Sequence, residues 1–248
     1  MGKFNYLFDG LEYSSDVIRW IRKLEEKNND IYSNKIKYSY AELNGLQEEI
    51  IQKLDAPFAY FFACEFNYQQ YKMQKVIFEV KNPQFAYLFA KNVPNADVKS
   101  LQNLIIQSKS LKYITNFACF VSSANLKLLE PIIIKSKIAK YAHMLLKHTS
   151  TKNLSKLKKI ILTSDKPRYL FELAKHTTNK KDLSKIEDLI VATKSYTYIR
   201  LLATKIKNAN IEKLEQAIIE LGNIKEIKKF ARQVKNSKMK NFLVVANT

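Results

Sequence analysis

Apolar positions along this chain return with a period close to 28 residues from about residue 56 onward. Aligned on Ala63, Ala90, Ala118, Leu146, Ala174, Ala203 and Ala231, successive copies stand 27, 28, 28, 28, 29 and 28 residues apart. A large apolar residue precedes each anchor: Phe62, Phe89, Phe117, Leu145, Leu173, Leu202 and Phe230. About fifteen residues beyond the anchor comes an apolar pair, as in Ile105-Ile106, Ile133-Ile134 and Ile218-Ile219. Inside one copy, Tyr169, Leu170, Leu173, Ala174 and Thr177 recur at helical spacing and predict a short helix, A. Leu154, Leu157, Ile160 and Ile161 form a second stripe and predict helix B. The stretch Asn95 to Asp97, Asn125 and Asn210 fall between A and B, where a polar N-cap is wanted. Ser108, Ser136 and Ser164 close their units.

Self-similarity at a fixed period of 20 to 50 residues marks a stacked-repeat architecture. Helices of about ten residues do not persist alone in water, so these must draw their stability from neighbouring layers. The expected fold is all-α: an α-solenoid of about seven stacked helix pairs, with A helices beginning near 57, 84, 112, 140, 168, 197 and 225. Residues 1–55 read as a divergent N-terminal helical cap and 56–248 as the repeat array. Within the cap, Asp16 can begin a helix through Val17, Ile18, Trp20, Ile21 and Leu24, and residues 29–38 read as loop. Ser39 and Glu42 have capping-box spacing ahead of Leu46, Ile50 and Ile51, which match the B stripe. At the other end, Phe242 to Val245 fit a last B helix. Its apolar side would offer a homo-oligomer or a protein partner a surface at the C-terminal layer.

The unit running from Ala86 through Tyr-Leu-Phe-Ala-Lys-Asn-Val-Pro-Asn-Ala-Asp-Val to Ser108 resembles a short helical repeat of uncharacterised proteins of large DNA viruses and phages. The resemblance spans about residues 57–248, and later copies drift from it: Thr149 and Thr177 replace Val93, and Leu146 replaces the anchoring alanine. It implies a viral protein, placed in the host cytoplasm or the virion, and brings no catalytic motif with it.

Charge alters this picture. The chain holds 42 basic and 23 acidic residues in 248, a formal net charge of +19. Residues 1–55 carry 8 basic and 10 acidic side chains, so the excess lies wholly in the repeats. A charge asymmetry of this kind points to a polyanionic partner. Codon bias competes with that reading, because lysine outnumbers arginine 37 to 5 and Asn and Ile are frequent, as an AT-rich genome would dictate.

The cations have positions, however. Lys112, Lys140, Arg168 and Lys225 stand six residues before the anchor; Lys91, Lys147, Lys175 and Arg232 stand one residue after it. Seven residues separate the two columns, which puts both on one face of helix A. Cations repeated at a fixed rise suit phosphates, and lysine reads backbone rather than bases. Scarce arginine argues against base-specific recognition. Tyr113, Tyr141, Tyr169 and Tyr198 form another column, five residues before the anchor. They can serve either as base-stacking platforms or as packing between layers. The lysine columns also admit a second reading, as solvated faces that keep a repeat protein soluble.

Little else carries chemistry. His148 and His176 are 28 residues apart with no carboxylate at metal spacing, and His143 faces away from His148. Cys64 and Cys119 share one repeat column as small residues of helix A and are too few for a disulfide framework. Glu187 and Asp188 are adjacent and point apart on their helix. No phosphate-cradling glycine loop, zinc-protease motif or nucleophile elbow occurs. Met1 to Tyr13 lack an apolar signal core, Tyr6 rules out a myristoylation motif at Gly2, and no apolar run is long enough to cross a bilayer. The expectation is a cytoplasmic, non-enzymatic scaffold without cofactor, metal or membrane contact. Its basic face binds nucleic acid or an acidic protein surface; the alternative is a structural or adaptor protein, such as a virion component, working through protein–protein contacts.

Overall fold

The computed structural model describes residues 40–66, 68–234 and 237–239, apart from the Glu42 side chain. The helix expected after Asp16, the 29–38 loop, Ser39 of the capping box and the last B helix at Phe242 to Val245 lie outside the described residues. Among those described there are fourteen helices and no strand. In chain order they are α1 (Tyr40–Lys53), α2 (Ala56–Glu65), α3 (Gln70–Val80), α4 (Pro83–Asn92), α5 (Val98–Gln107), α6 (Leu111–Phe120), α7 (Leu126–Ser136), α8 (Ala139–His148), α9 (Leu154–Leu162), α10 (Pro167–Lys175), α11 (Lys180–Ala192), α12 (Tyr196–Lys205), α13 (Ile211–Glu220) and α14 (Ile224–Gln233). Even-numbered helices are the seven A helices, and odd-numbered ones from α3 are B helices. The fold is an α-solenoid of stacked helix pairs, six complete and the seventh described through its A helix. The described part of the N-terminal segment, α1, is itself of B type.

Local chemistry sets the boundaries. Asp55 and Asn82 cap α2 and α4 by accepting from the N–H groups of Phe58 and Gln84. Pro57 and Pro83 occupy first-turn positions, where no intrahelical N–H bond is lost. Asp97 and Asn210 cap the B helices α5 and α13, as their place between A and B predicts. Six of the seven A helices stop three residues past the anchor at an extended residue, chiefly a β-branched one; α10 stops at His176, two past Ala174. Val93, Val121, Ile206 and Val234 direct their N–H groups to the carbonyls of Phe89, Phe117, Leu202 and Phe230. Five B helices, α3, α5, α7, α11 and α13, turn into the next A helix through a left-handed residue: Lys81, Lys109, Lys137, Lys194 and Gly222, with φ of 54°, 56°, 55°, 55° and 73°. Only one of the five is glycine, so each lysine there stores strain of about 1 kcal/mol. Ser108 and Ser136 brace two of these turns, donating to the carbonyls of Ile105 and Ile133 and accepting from the N–H groups of Ser110 and Ile138.

The fold divides between Leu126 and Lys127 into two compact units. In the first, α2 packs on α4 and α4 on α6, with α1 against α2 and α3. In the second, α8 packs on α10, α10 on α12 and α12 on α14, while α11 packs on α13. In both, the core is the residue before each anchor. Phe62, Phe89, Phe117, Leu145, Leu202 and Phe230 are all 0% exposed.

Two further columns hold the layers together. The first joins the ring five residues before one anchor to the residue three before the preceding anchor. Phe85 rests on Tyr60, Tyr169 on His143 and Tyr198 on Phe171, with ring centroids 6.3, 5.4 and 6.0 Å apart. Between α12 and α14 the same two columns hold an ion pair instead, Arg200 Nη1 to Glu226 Oε2 at 2.7 Å. The second column lies on the B helices: Gln47, Gln74, Gln102, Glu130, Glu187 and Glu215, all buried. Gln74, Gln102 and Glu187 accept the backbone N–H of Asp97, Asn125 and Asn210, at 2.9, 2.7 and 2.8 Å. Glu130 accepts from Asn153 Nδ2 at 2.7 Å. Each donating residue lies 23 positions downstream, at the start of the next B helix. At these four junctions one layer satisfies a polar group of the following one, which fixes register as well as spacing.

His143 makes one layer contact pH-sensitive. Burial pushes its imidazole below the ordinary 6.5, and Lys147, Arg168 and His148 push the same way while Glu172 opposes them. The folded protein therefore binds fewer protons here than the unfolded chain. The stability this group contributes is present above pH 6.5 and falls away as pH drops toward the depressed value. Thermal melts between about pH 7 and about pH 5.5 should show the midpoint falling. His143→Phe, which restores the ring found at Tyr60 and Phe171 in the same column, should flatten that part of the profile.

Candidate polyanion-binding face of the A helices

All eight cations of the two lysine and arginine columns are exposed. In the first unit Lys91 closes α4 and Lys112 opens α6. In the second, Lys140 and Lys147 lie on α8, Arg168 and Lys175 on α10, and Lys225 and Arg232 on α14. On each helix that carries both columns the seven-residue spacing brings the pair to one face about two turns apart. Their stems lie along aromatic surface. Lys112 Nζ is 5.1 Å from the Tyr113 ring centroid and Lys140 Nζ 5.7 Å from that of Tyr141. Lys175 lies 4.9 Å from Phe171, and Lys91 5.9 and 5.7 Å from Tyr87 and Phe120. Such contacts hold the ammonium groups out from the helix while leaving them wet.

Carboxylates are sorted away from this face. The A helices α2 to α14 carry 12 lysines and arginines against three acids, Glu65, Glu172 and Glu226. The B helices carry 12 basic residues against eight acids. Glu172 is bonded to Lys175 at 2.8 Å, which together with the Lys175 charge holds its carboxyl below the ordinary 4.5. Glu226 is taken by Arg200 at 2.7 Å. Codon bias enriches lysine everywhere, but it does not move acids from one helix of a repeat to the other.

The tyrosine column is half-buried. Tyr169 and Tyr198 each turn a ring toward the preceding layer, and the Tyr113 hydroxyl donates to Gln84 Oε1 at 3.0 Å. Their surfaces are thereby engaged in packing between A helices. Burial holds the two thiols protonated at neutral pH: Cys64 is pushed up to about 11 and Cys119 to about 12. His148 and His176 are exposed. Among the described residues no three His, Cys, Asp or Glu side chains cluster as a metal site. Glu187 is buried and Asp188 exposed, yet one cation spans both, Lys213 Nζ lying 3.6 Å from Glu187 Oε2 and 2.7 Å from Asp188 Oδ1.

Sequence reasoning did not reach Lys228 and Lys229, which line a depression on α14 with Lys225, Arg232 and Gln233. The signal was present in the chain, since Lys225, Lys228, Lys229 and Arg232 fall at i, i+3, i+4 and i+7 of one helix. They were hidden because neither column is consistently basic: Tyr60, His143 and Phe171 share the first with Arg200 and Lys228, and Glu172 shares the second with Lys229. Among the described residues no helix is long and apolar enough to cross a membrane. No protein-family model, curated protein or solved structure matches this chain.

Proposed function

We propose that this protein is a non-enzymatic helical-repeat scaffold whose A-helix face binds nucleic acid through its phosphates, without sequence specificity. The observation that carries the reading is the sorting of charge: exposed cations at repeat-equivalent positions on the A helices, with eight of the eleven carboxylates of the A and B helices on the B helices and two of the other three, Glu172 and Glu226, in ion pairs. Like charges placed on one face repel one another, which disfavours the compact state. A polyanion relieves that repulsion and releases its own counterions on binding. Lysine side chains on these helices reach phosphate oxygens, and arginine, the usual bidentate partner of guanine edges, is scarce, at five residues against 37 lysines.

Fluorescence anisotropy with labelled single- and double-stranded DNA and RNA across a salt series tests this. Micromolar or tighter binding at about 0.15 M salt, weakening steeply as salt rises, is expected. Lys140→Glu combined with Arg168→Glu reverses two exposed cations on neighbouring A helices and should weaken binding by about tenfold or more. Binding that vanishes by about 0.15 M salt, or is untouched by the reversal, would sink the proposal and leave the charge as composition.

A further inference from the structure

The seventh A helix departs from the others. Three residues before the anchor, Tyr60, His143 and Phe171 hold rings of the next layer, and Arg200 holds Glu226. At that position α14 carries Lys228, and in the adjoining column, where Phe61 is buried, it carries Lys229. These two join Lys225 and Arg232 around a depression of about 320 Å³, with Gln233 the fifth lining residue. No carboxylate lines it. Glu226, the one acid of α14, is drawn off by Arg200 at 2.7 Å and reaches Lys229 only at 4.0 Å. A surface shaped for solubility mixes the two signs of charge; this one concentrates a single sign. Lys225 even stands in the first turn, where the helix dipole disfavours a cation.

Resting on the nucleic-acid reading above, we infer that the exposed face of α14 is the strongest phosphate-docking site on the chain, taking consecutive phosphates of one strand. The four cations span eight residues, about 10 Å of helix, and a strand presents one phosphate per roughly 3.4 Å of duplex axis. The site therefore matches about three phosphates. Arg232 supplies a planar fork that can hold one phosphate with two parallel bonds, and the lysines act as point charges on its neighbours.

The test compares the full chain with two variants, using a labelled single strand of about 20 nucleotides over a salt series. Lys225→Gln, Lys228→Gln and Arg232→Gln together should weaken binding more than tenfold. They should also lower the salt slope by about 2, given about 0.7 per phosphate contact on single strands. Lys140→Glu with Arg168→Glu should cost less. Should the triple variant melt earlier than the parent, Lys228→Gln alone carries the test, with a slope lower by about 0.7. An α14 variant that binds like the parent, while the α8–α10 reversal weakens binding, overturns this inference and leaves the general reading standing. A parent chain that binds no nucleic acid overturns both. A competitor arm with excess polyglutamate should leave the DNA complex in place; its displacement at equal charge would mark a site for acidic protein and overturn the phosphate assignment.

Discussion

Replacing Phe117 by alanine should destabilise the protein by about 3–5 kcal/mol. Phe117 is 0% exposed and stands immediately before the anchor Ala118, so its ring fills the interior of α6 at the position where all seven A helices place a large, buried apolar side chain. Truncation removes the transfer free energy of the ring and leaves a cavity that the surrounding helices close only in part. A repeat array has no remote core to compensate, because each layer is stabilised by its immediate neighbours. The loss should therefore fall first on the first unit. Chemical denaturation followed by far-UV circular dichroism would show a lower midpoint or a separate early transition. Phe117→Leu gives the residue that the same column holds at Leu145, Leu173 and Leu202, and should cost less than half as much. If alanine and leucine behave alike, the column is not the core.

Much of this fold could be read before any coordinates. The A helices begin at 56, 83, 111, 139, 167, 196 and 224, each one residue ahead of where the apolar stripe places it. Asp97 and Asn210 were legible as caps because only a side-chain acceptor satisfies the free N–H groups there. The polar column on the B helices was not legible. Gln74, Gln102 and Glu187 look like solvent-facing residues until the next layer's N–H is seen bonding to them. Nor was the ring column, since Tyr60, His143, Phe171 and Arg200 share a position but no chemistry; what is constant is the pairing with the following layer. The left-handed lysines at 81, 109, 137 and 194 escaped because glycine is the residue that announces such a turn. For the candidate site, the two cation columns follow from spacing alone. The sorting of carboxylates became visible only once each helix had limits, and the α14 cluster only once a column of rings was seen to end in lysine.

Glu187→Leu should cost about 2–3 kcal/mol, and Glu187→Gln under about 1 kcal/mol. The carboxylate is 2% exposed, accepts the Asn210 N–H at 2.8 Å and lies 3.6 Å from Lys213 Nζ. Leucine fills a similar volume but leaves that N–H unpaired at the start of α13, and a buried donor without a partner costs about 1–3 kcal/mol. The Lys213 contribution is smaller, because its ammonium is partly exposed, keeps Asp188 at 2.7 Å and donates to the Ser184 carbonyl at 3.1 Å. Glutamine keeps an acceptor in place and loses only charge, and it is the residue the repeat itself uses at Gln74 and Gln102. Backbone hydrogen exchange at Asn210 separates the two variants more sharply than a melt does. With leucine, protection there should drop to that of a helix end open to water; with glutamine it should stay near the parent's. Equal protection in both would mean that the N–H finds another acceptor and that the polar column does not bind one layer to the next. A selective loss in the leucine variant would identify a buried hydrogen bond, repeated along the B helices, as what sets the register in which the cations of the A helices are presented.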